Sequence, residues 1–128
     1  MNGYRTLREV CVMLHLSRRA IQGYEEMGLV KPSSRNKYGH LLYDEKAVGR
    51  IAGIQFCQKI GLSLKEISSL TEKDPEAICQ ILGAHMTTLT LKATELEEMI
   101  TKTGEVIGNL RNSDADFLEV IYQTIKED

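Results

Sequence analysis

Thr6-Leu7-Arg8-Glu9-Val10-Cys11-Val12-Met13-Leu14-His15-Leu16-Ser17-Arg18-Arg19-Ala20-Ile21-Gln22-Gly23-Tyr24-Glu25-Glu26-Met27-Gly28 is the stretch on which the fold turns. Thr6 and Glu9 form a capping box, in which the Thr hydroxyl accepts from the Glu9 amide and the carboxylate reaches back. The helix they open carries Leu7, Val10, Cys11 and Leu14 on one face at helical spacing. His15-Leu16 makes a short turn, and Ser17 caps a second helix. Ala20, Ile21, Tyr24 and Met27 line its inner side, and Gly28 suits the left-handed position that ends it. Two short helices joined by a tight turn are the outline of a helix-turn-helix.

Leu29-Val30-Lys31-Pro32 leaves the second helix in extended form. Residues 33–36 are polar, Lys37-Tyr38-Gly39 supplies a turn, and His40-Leu41-Leu42-Tyr43 reads as a strand, which together predict a two-stranded hairpin, or wing. Asp44 caps a third helix running through Val48, Ile51, Ile54 and Phe56 to Gly61. Ser63 and Glu66 make a second capping box, opening a helix with Ile67 and Leu70 inward.

Asp74-Pro75 reads as an N-cap followed by proline at the first helical position. From there to Asn112 no breaker stronger than glycine occurs, and Ile78, Leu82, His85, Leu89, Lys92, Leu96, Met99, Thr103, Val106 and Leu110 alternate by four and three. This heptad seam tolerates His85, Lys92 and Thr103 as polar interruptions, with His85 suited to setting register. At about 1.5 Å per residue the helix is roughly 55 Å long. Such a helix cannot bury its own apolar stripe; it needs a second copy. Gly83, Gly104 and Gly108 either allow backbones to approach or weaken the helix locally. Asp114 or Ser113 is expected to cap a last helix with Phe117, Ile121, Tyr122 and Ile125 on one side, packed on the long helix. The expected fold is therefore mainly α. A winged helix-turn-helix head occupies 1–72, a long dimerisation helix in an antiparallel coiled coil 73–112, and a short helix, a candidate effector region, 113–128.

The 128-residue chain carries a net charge of −2, which conceals a division. Through Leu70 there are eleven basic and six acidic residues, a net of +5, while the remainder nets −7. A basic head on an acidic body suits a polyanionic partner. Apolar runs are too short to span a bilayer and the N-terminus has no secretion signal, so a cytosolic location is expected. Cys11, Cys57 and Cys79 are odd in number and widely spaced, which indicates neither a disulfide framework nor a zinc site. No nucleophile–base pair, phosphate loop or carboxylate dyad is present, so no enzymatic activity and no cofactor is expected.

Residues 4–70 resemble the DNA-binding domain of the MerR family of bacterial regulators. The matching segments are Leu16-Ser17-Arg18-Arg19-Ala20-Ile21, Tyr24-Glu25-Glu26-Met27-Gly28-Leu29-Val30-Lys31-Pro32, Arg35-Asn36-Lys37-Tyr38-Gly39-His40-Leu41-Leu42-Tyr43 and Ile60-Gly61-Leu62-Ser63-Leu64-Lys65-Glu66-Ile67. The resemblance implies a winged helix-turn-helix homodimer on an inverted-repeat promoter, distorting that DNA for RNA polymerase in response to an effector whose identity is unknown. It implies a DNA-facing set of Ser17, Arg18, Arg19, Gln22, Tyr24, Arg35, Lys37, Tyr38 and His40, and a dimer seam of Leu82, His85, Leu89, Leu96, Met99, Val106 and Leu110.

The residues support these mechanics separately. Ser17, Arg18 and Arg19 place a hydroxyl and two guanidinium groups at the helix end that meets the major groove. Arg35, Lys37 and His40 on the wing would reach flanking phosphates, which fix position without reading sequence. Tyr24 matches a family tyrosine near phosphate, yet both it and Tyr43 also suit a core; for Tyr43 the core is preferred. The chain departs from the family pattern at Gln22 and Gly23, where a basic residue and an aromatic are usual, at His40-Leu41 in place of a tyrosine–arginine pair, and at Gln58 in place of a basic residue. Lost positive charges flatten the salt dependence of binding by roughly 0.9 per phosphate contact. These departures leave open a second function, a protein-interaction or antagonist module with a weakened head. Metal-sensing members of the family carry thiolates near Cys79 and in a following loop; residues 112–116 contain none, so no metal site is expected. The tail is also too short for a drug-binding domain.

Overall fold

The computed structural model describes residues 3–126; positions 1, 2, 127 and 128, the extreme ends of the expected head and C-terminal segment, lie outside the described residues. Along the chain run β1 (Tyr4–Thr6), α1 (Leu7–Leu14), α2 (Arg18–Glu26), β2 (Ser34–Arg35), β3 (Leu41–Asp44), α3 (Glu45–Lys59), α4 (Leu64–Leu70), α5 (Pro75–Arg111) and α6 (Phe117–Lys126). The architecture is the mainly helical one expected, and it divides into two units between residues 74 and 75.

In the first unit the helix ends follow the local chemistry of the sequence. Both capping boxes form: Thr6 Oγ1 accepts from the Glu9 amide while Glu9 Oε1 accepts from the Thr6 amide at 2.8 Å, and Ser63 and Glu66 repeat the pattern. Ser17 Oγ accepts from the Ala20 amide at 3.0 Å, and Asp44 Oδ1 from the Ala47 amide at 2.8 Å. The α1–α2 turn depends on His15, held at φ 55° with its amide donating to the Cys11 carbonyl. Histidine is one of the few side chains that tolerate this left-handed region. Gly28 takes φ 74° just beyond α2, as its position suggested.

The wing belongs to a three-stranded antiparallel sheet rather than a two-stranded hairpin. The order is β1-β3-β2, with Arg5 opposite Tyr43 on one side and Arg35 opposite Leu41 on the other. The additional strand is three residues long, too short to show alternation, and forms because β3 offers it a free edge. Around the sheet Val10, Ile21, Tyr24, Leu29, Tyr43, Ile51, Ile54, Leu62 and Ile67 make the core. Phe56, expected on the inner face of α3, is 61% exposed. It lies two residues past the buried Ile54, roughly 200° around a helix of 3.6 residues per turn, and so faces the opposite side.

The second unit is built differently. α5 runs 37 residues and contains no buried residue. α6 packs on its C-terminal part through Val120 and Thr124, and Asn109 Nδ2 donates to Thr124 Oγ1 at 2.8 Å. Asp116, not Asp114 or Ser113, caps α6 by accepting from the Glu119 amide at 3.0 Å, while Ser113 Oγ accepts from Ala115 within the preceding turn. With the cap at Asp116, the inward face falls on Val120 and Thr124, and Ile121 is half-buried. Phe117, Tyr122 and Ile125, expected against the long helix, are exposed.

Candidate nucleic-acid interface

Three features position the candidate interface: the N-terminus of α2, the face of α2 that follows it, and the wing tip. Arg18, Arg19 and Gln22 are exposed, and among the described residues no carboxylate lies in ion-pair range of either arginine. No acidic residue occupies the first turn of α2. A helix start prefers negative charge, so two cations there leave a positive helix end unneutralised by the protein itself. Ser17 uses its hydroxyl oxygen to cap Ala20 and keeps its O–H proton available for an acceptor.

Tyr24 departs from its expected exposure to phosphate. It is 1% exposed, three residues after buried Ile21 on the same face, and its hydroxyl donates to Gln58 Oε1 at 2.7 Å. Burial raises its pKa, so the phenol stays neutral. Tyr43 lies in the core, as its sequence context favoured, and its hydroxyl donates to Glu25 Oε2 at 2.9 Å. Burial first, and then the Glu25 carboxylate, push its pKa up. Gln58 and Glu25 therefore act by holding α2 against α3 and β3. Their partners are distant in sequence, and no local pattern announces them.

The wing tip is closed by its own hydrogen bonds. Asn36 Oδ1 accepts from the amides of Tyr38 at 2.9 Å and His40 at 3.0 Å. Arg35 Nη1 donates to the Gly39 carbonyl at 2.7 Å, so part of its guanidinium braces the loop. Gly39 adopts φ 82°, a conformation that favours glycine. Beyond this frame project Lys37, Tyr38 and His40. Tyr38 is 72% exposed, with Lys37 Nζ 5.2 Å from its ring centroid and the His40 ring 6.3 Å away. A rigid loop carrying a lysine, an exposed phenol and an imidazole suits phosphate and sugar contact.

The residues expected to form a dimer seam all lie on α5. Leu82, His85 and Val106 are half-buried, and Leu89, Leu96, Met99 and Leu110 are exposed. Cys11 and Cys57 are half-buried and Cys79 is exposed. Among the described residues no three His, Cys, Asp or Glu side chains gather as a metal site, and no helix is long and apolar enough to cross a membrane.

Comparison with known proteins agrees with this geometry. Residues 5–74 match the MerR HTH family regulatory proteins. A probable heavy metal-dependent transcriptional regulator of Haemophilus influenzae is 29% identical over 102 residues, which cover 75% of this chain and 80% of that protein. Among solved structures, a MerR family transcriptional regulator from Bacillus cereus superposes with a TM-score of 0.79 at 19% identity, covering 97% of this chain and 98% of that one. HiNmlR, described as a MerR family regulator lacking the sensor domain and bound to promoter DNA, has a TM-score of 0.64 at 16% identity, over 84% and 86% of the two chains. With the family match spanning more than half of its length, the chain belongs to the MerR family and is a DNA-binding transcriptional regulator.

Proposed function

We propose that the protein acts in the cytosol as a homodimer, joined through α5 in an antiparallel coiled coil, on an inverted-repeat promoter site that it distorts for RNA polymerase. The observation that carries this reading is the unmet apolar surface of α5. Thr87, Thr88, Thr90, Thr94 and Thr103 each donate their hydroxyls to carbonyls four residues back. Those polar groups are satisfied within the helix. Among the apolar side chains left uncovered, those at heptad spacing form a stripe through half-buried Leu82 and Val106 and exposed Leu89, Leu96, Met99 and Leu110, with Leu96 57% and Met99 62% exposed. A second α5 with the same spacing covers it by knobs-into-holes packing, with His85 fixing register.

A two-fold dimer calls for a two-fold site, since each protomer presents the same recognition surface. In each head Arg19 takes the base-reading position at the start of α2, joined by Ser17 and Gln22. Arg18, Lys37, Tyr38 and His40 contact the backbone, with Arg35 and Tyr24 holding wing and helix in place. That HiNmlR is bound to promoter DNA supports the use of this head on promoters. An effector acting through the 113–126 segment would turn binding into a switch.

The test is a footprint of the purified protein on DNA upstream of its own gene, with a reagent sensitive to distortion. A protected inverted repeat with hyperreactive central bases is expected. Protection without central hyperreactivity would indicate a simple repressor, and absence of protection would favour the protein-interaction reading.

A further inference from the structure

The groove between the recognition helix and the wing contains a cation that the head's expected DNA-facing set does not include. About 510 Å³ in volume, it is lined by Arg8 on α1, Arg18 at the start of α2, and Gly39 and His40 at the wing tip, with Thr6 also in its wall. Arg8 and Arg18 come from different helices, and His40 from the wing tip just before β3. Among the described residues none of the three has a carboxylate partner. The nearest acid in sequence, Glu9, is committed to the Thr6 amide at 2.8 Å, a bond that also holds its carboxyl below its ordinary pKa.

Two local rules are broken here together. Arg8 occupies the first turn of α1 and Arg18 the first turn of α2, where the helix dipole favours anions. Local electrostatic violations that converge on one cleft mark a site whose compensating charge comes from outside. The position of the cleft identifies that charge. If α2 enters the major groove and the wing rests on the flanking backbone, the sugar–phosphate strand between those two contacts must cross the space between Arg18 and His40.

We propose that Arg8, Arg18 and His40 form a phosphate clamp that seats one backbone phosphate of duplex DNA between recognition helix and wing. The proposal rests on the docking of α2 and the wing described above. Arg8 binds phosphate and contributes affinity and register without base preference. It also returns a positive charge to a wing whose own sequence carries Leu41 beside His40.

The experiment uses the full chain as wild type, Arg8→Gln and Arg8→Lys. Affinity is measured from 50 to 200 mM salt on two duplexes of about 30 base pairs, one from the upstream DNA and one of mixed sequence. Arg8→Gln should lower affinity on both duplexes alike and make the log–log salt slope shallower by about 0.9, so that its deficit narrows roughly 3.5-fold across that range. Arg8→Lys, which keeps the charge, should retain the wild-type slope. Arg8 is exposed and takes no part in the caps, so both variants should melt with the wild type. If the wild type binds and Arg8→Gln keeps its slope, the clamp is overturned while DNA binding stands. Should the wild type bind neither duplex, both fall. Should inorganic phosphate at fixed ionic strength bind in an Arg8-dependent way while the DNA slope is unchanged, the groove is a free-anion site and the clamp is again overturned.

Discussion

The two units of this chain use apolar residues in opposite ways. Within 3–74, side chains from α1, α2, β3, α3 and α4 meet in one core, and Val10, Ile21, Tyr43 and Ile51 are fully enclosed. Within 75–126, the longest helix has no buried residue, and the enclosed side chains are Val120 and Thr124 of α6. The head encloses its apolar side chains by itself; the tail leaves most of those on α5 exposed. In the proposed homodimer, which holds two identical heads in fixed register, this is a useful division. In that arrangement the closed core of the head sets what each α2 can touch, and the open stripe of α5 sets how many heads are joined.

The sharpest way to break this contrast is to attack the tail's stripe. Leu89→Glu combined with Leu96→Glu places four carboxylates in the proposed seam of a dimer. Removing four leucines from it forfeits about 6 kcal/mol or more. The expected result by sedimentation is a monomer whose head retains its near-native melting behaviour and whose operator affinity collapses. A double variant that stays dimeric would show the seam to be wrongly assigned. Ile51→Ala attacks the other side of the comparison. It should cost about 2–5 kcal/mol in urea unfolding of the head, as large-to-small substitutions in a closed core do. The same exchange at Met99 in a monomeric background should be nearly silent.

The smallest effect concerns Asp44, which ends β3 and caps α3. Its carboxyl is held below its ordinary pKa, chiefly by the Ala47 amide and then by Ser33. A depressed folded pKa means that the contribution is present above the unfolded value and is lost as pH falls through the folded one. Asn caps nearly as well as Asp. Asp44→Asn should therefore differ little from wild type at neutral pH and flatten the decline in stability below about pH 4. An unchanged acid limb would remove the carboxyl from that role.

Much of this architecture is legible locally, because caps are short-range chemistry. Thr6 with Glu9, Ser63 with Glu66, Ser17 and Asp44 each identify a helix start within four residues, and the heptad spacing identifies the long helix. What was not legible depends on distant partners. β1 exists because β3 has an edge to offer. Tyr24 is in the core because α2 packs against α3, where Gln58 receives its hydroxyl. The inner face of α6 is not legible because Phe117, Ile121 and Ile125 make a face more apolar than Val120 and Thr124, and packing on α5, with the Asn109–Thr124 hydrogen bond, selects between the two. Arg8 carries no local signal, because the groove it lines is completed by Arg18 and His40, up to 32 positions away.

Closure of the exposed α5 stripe by a second copy can be measured by sedimentation equilibrium of the purified full chain. At micromolar concentration the account predicts a single species of about twice the 14.4 kDa chain mass, whose dissociation follows protein concentration. A species of 14.4 kDa that persists with rising concentration would contradict it.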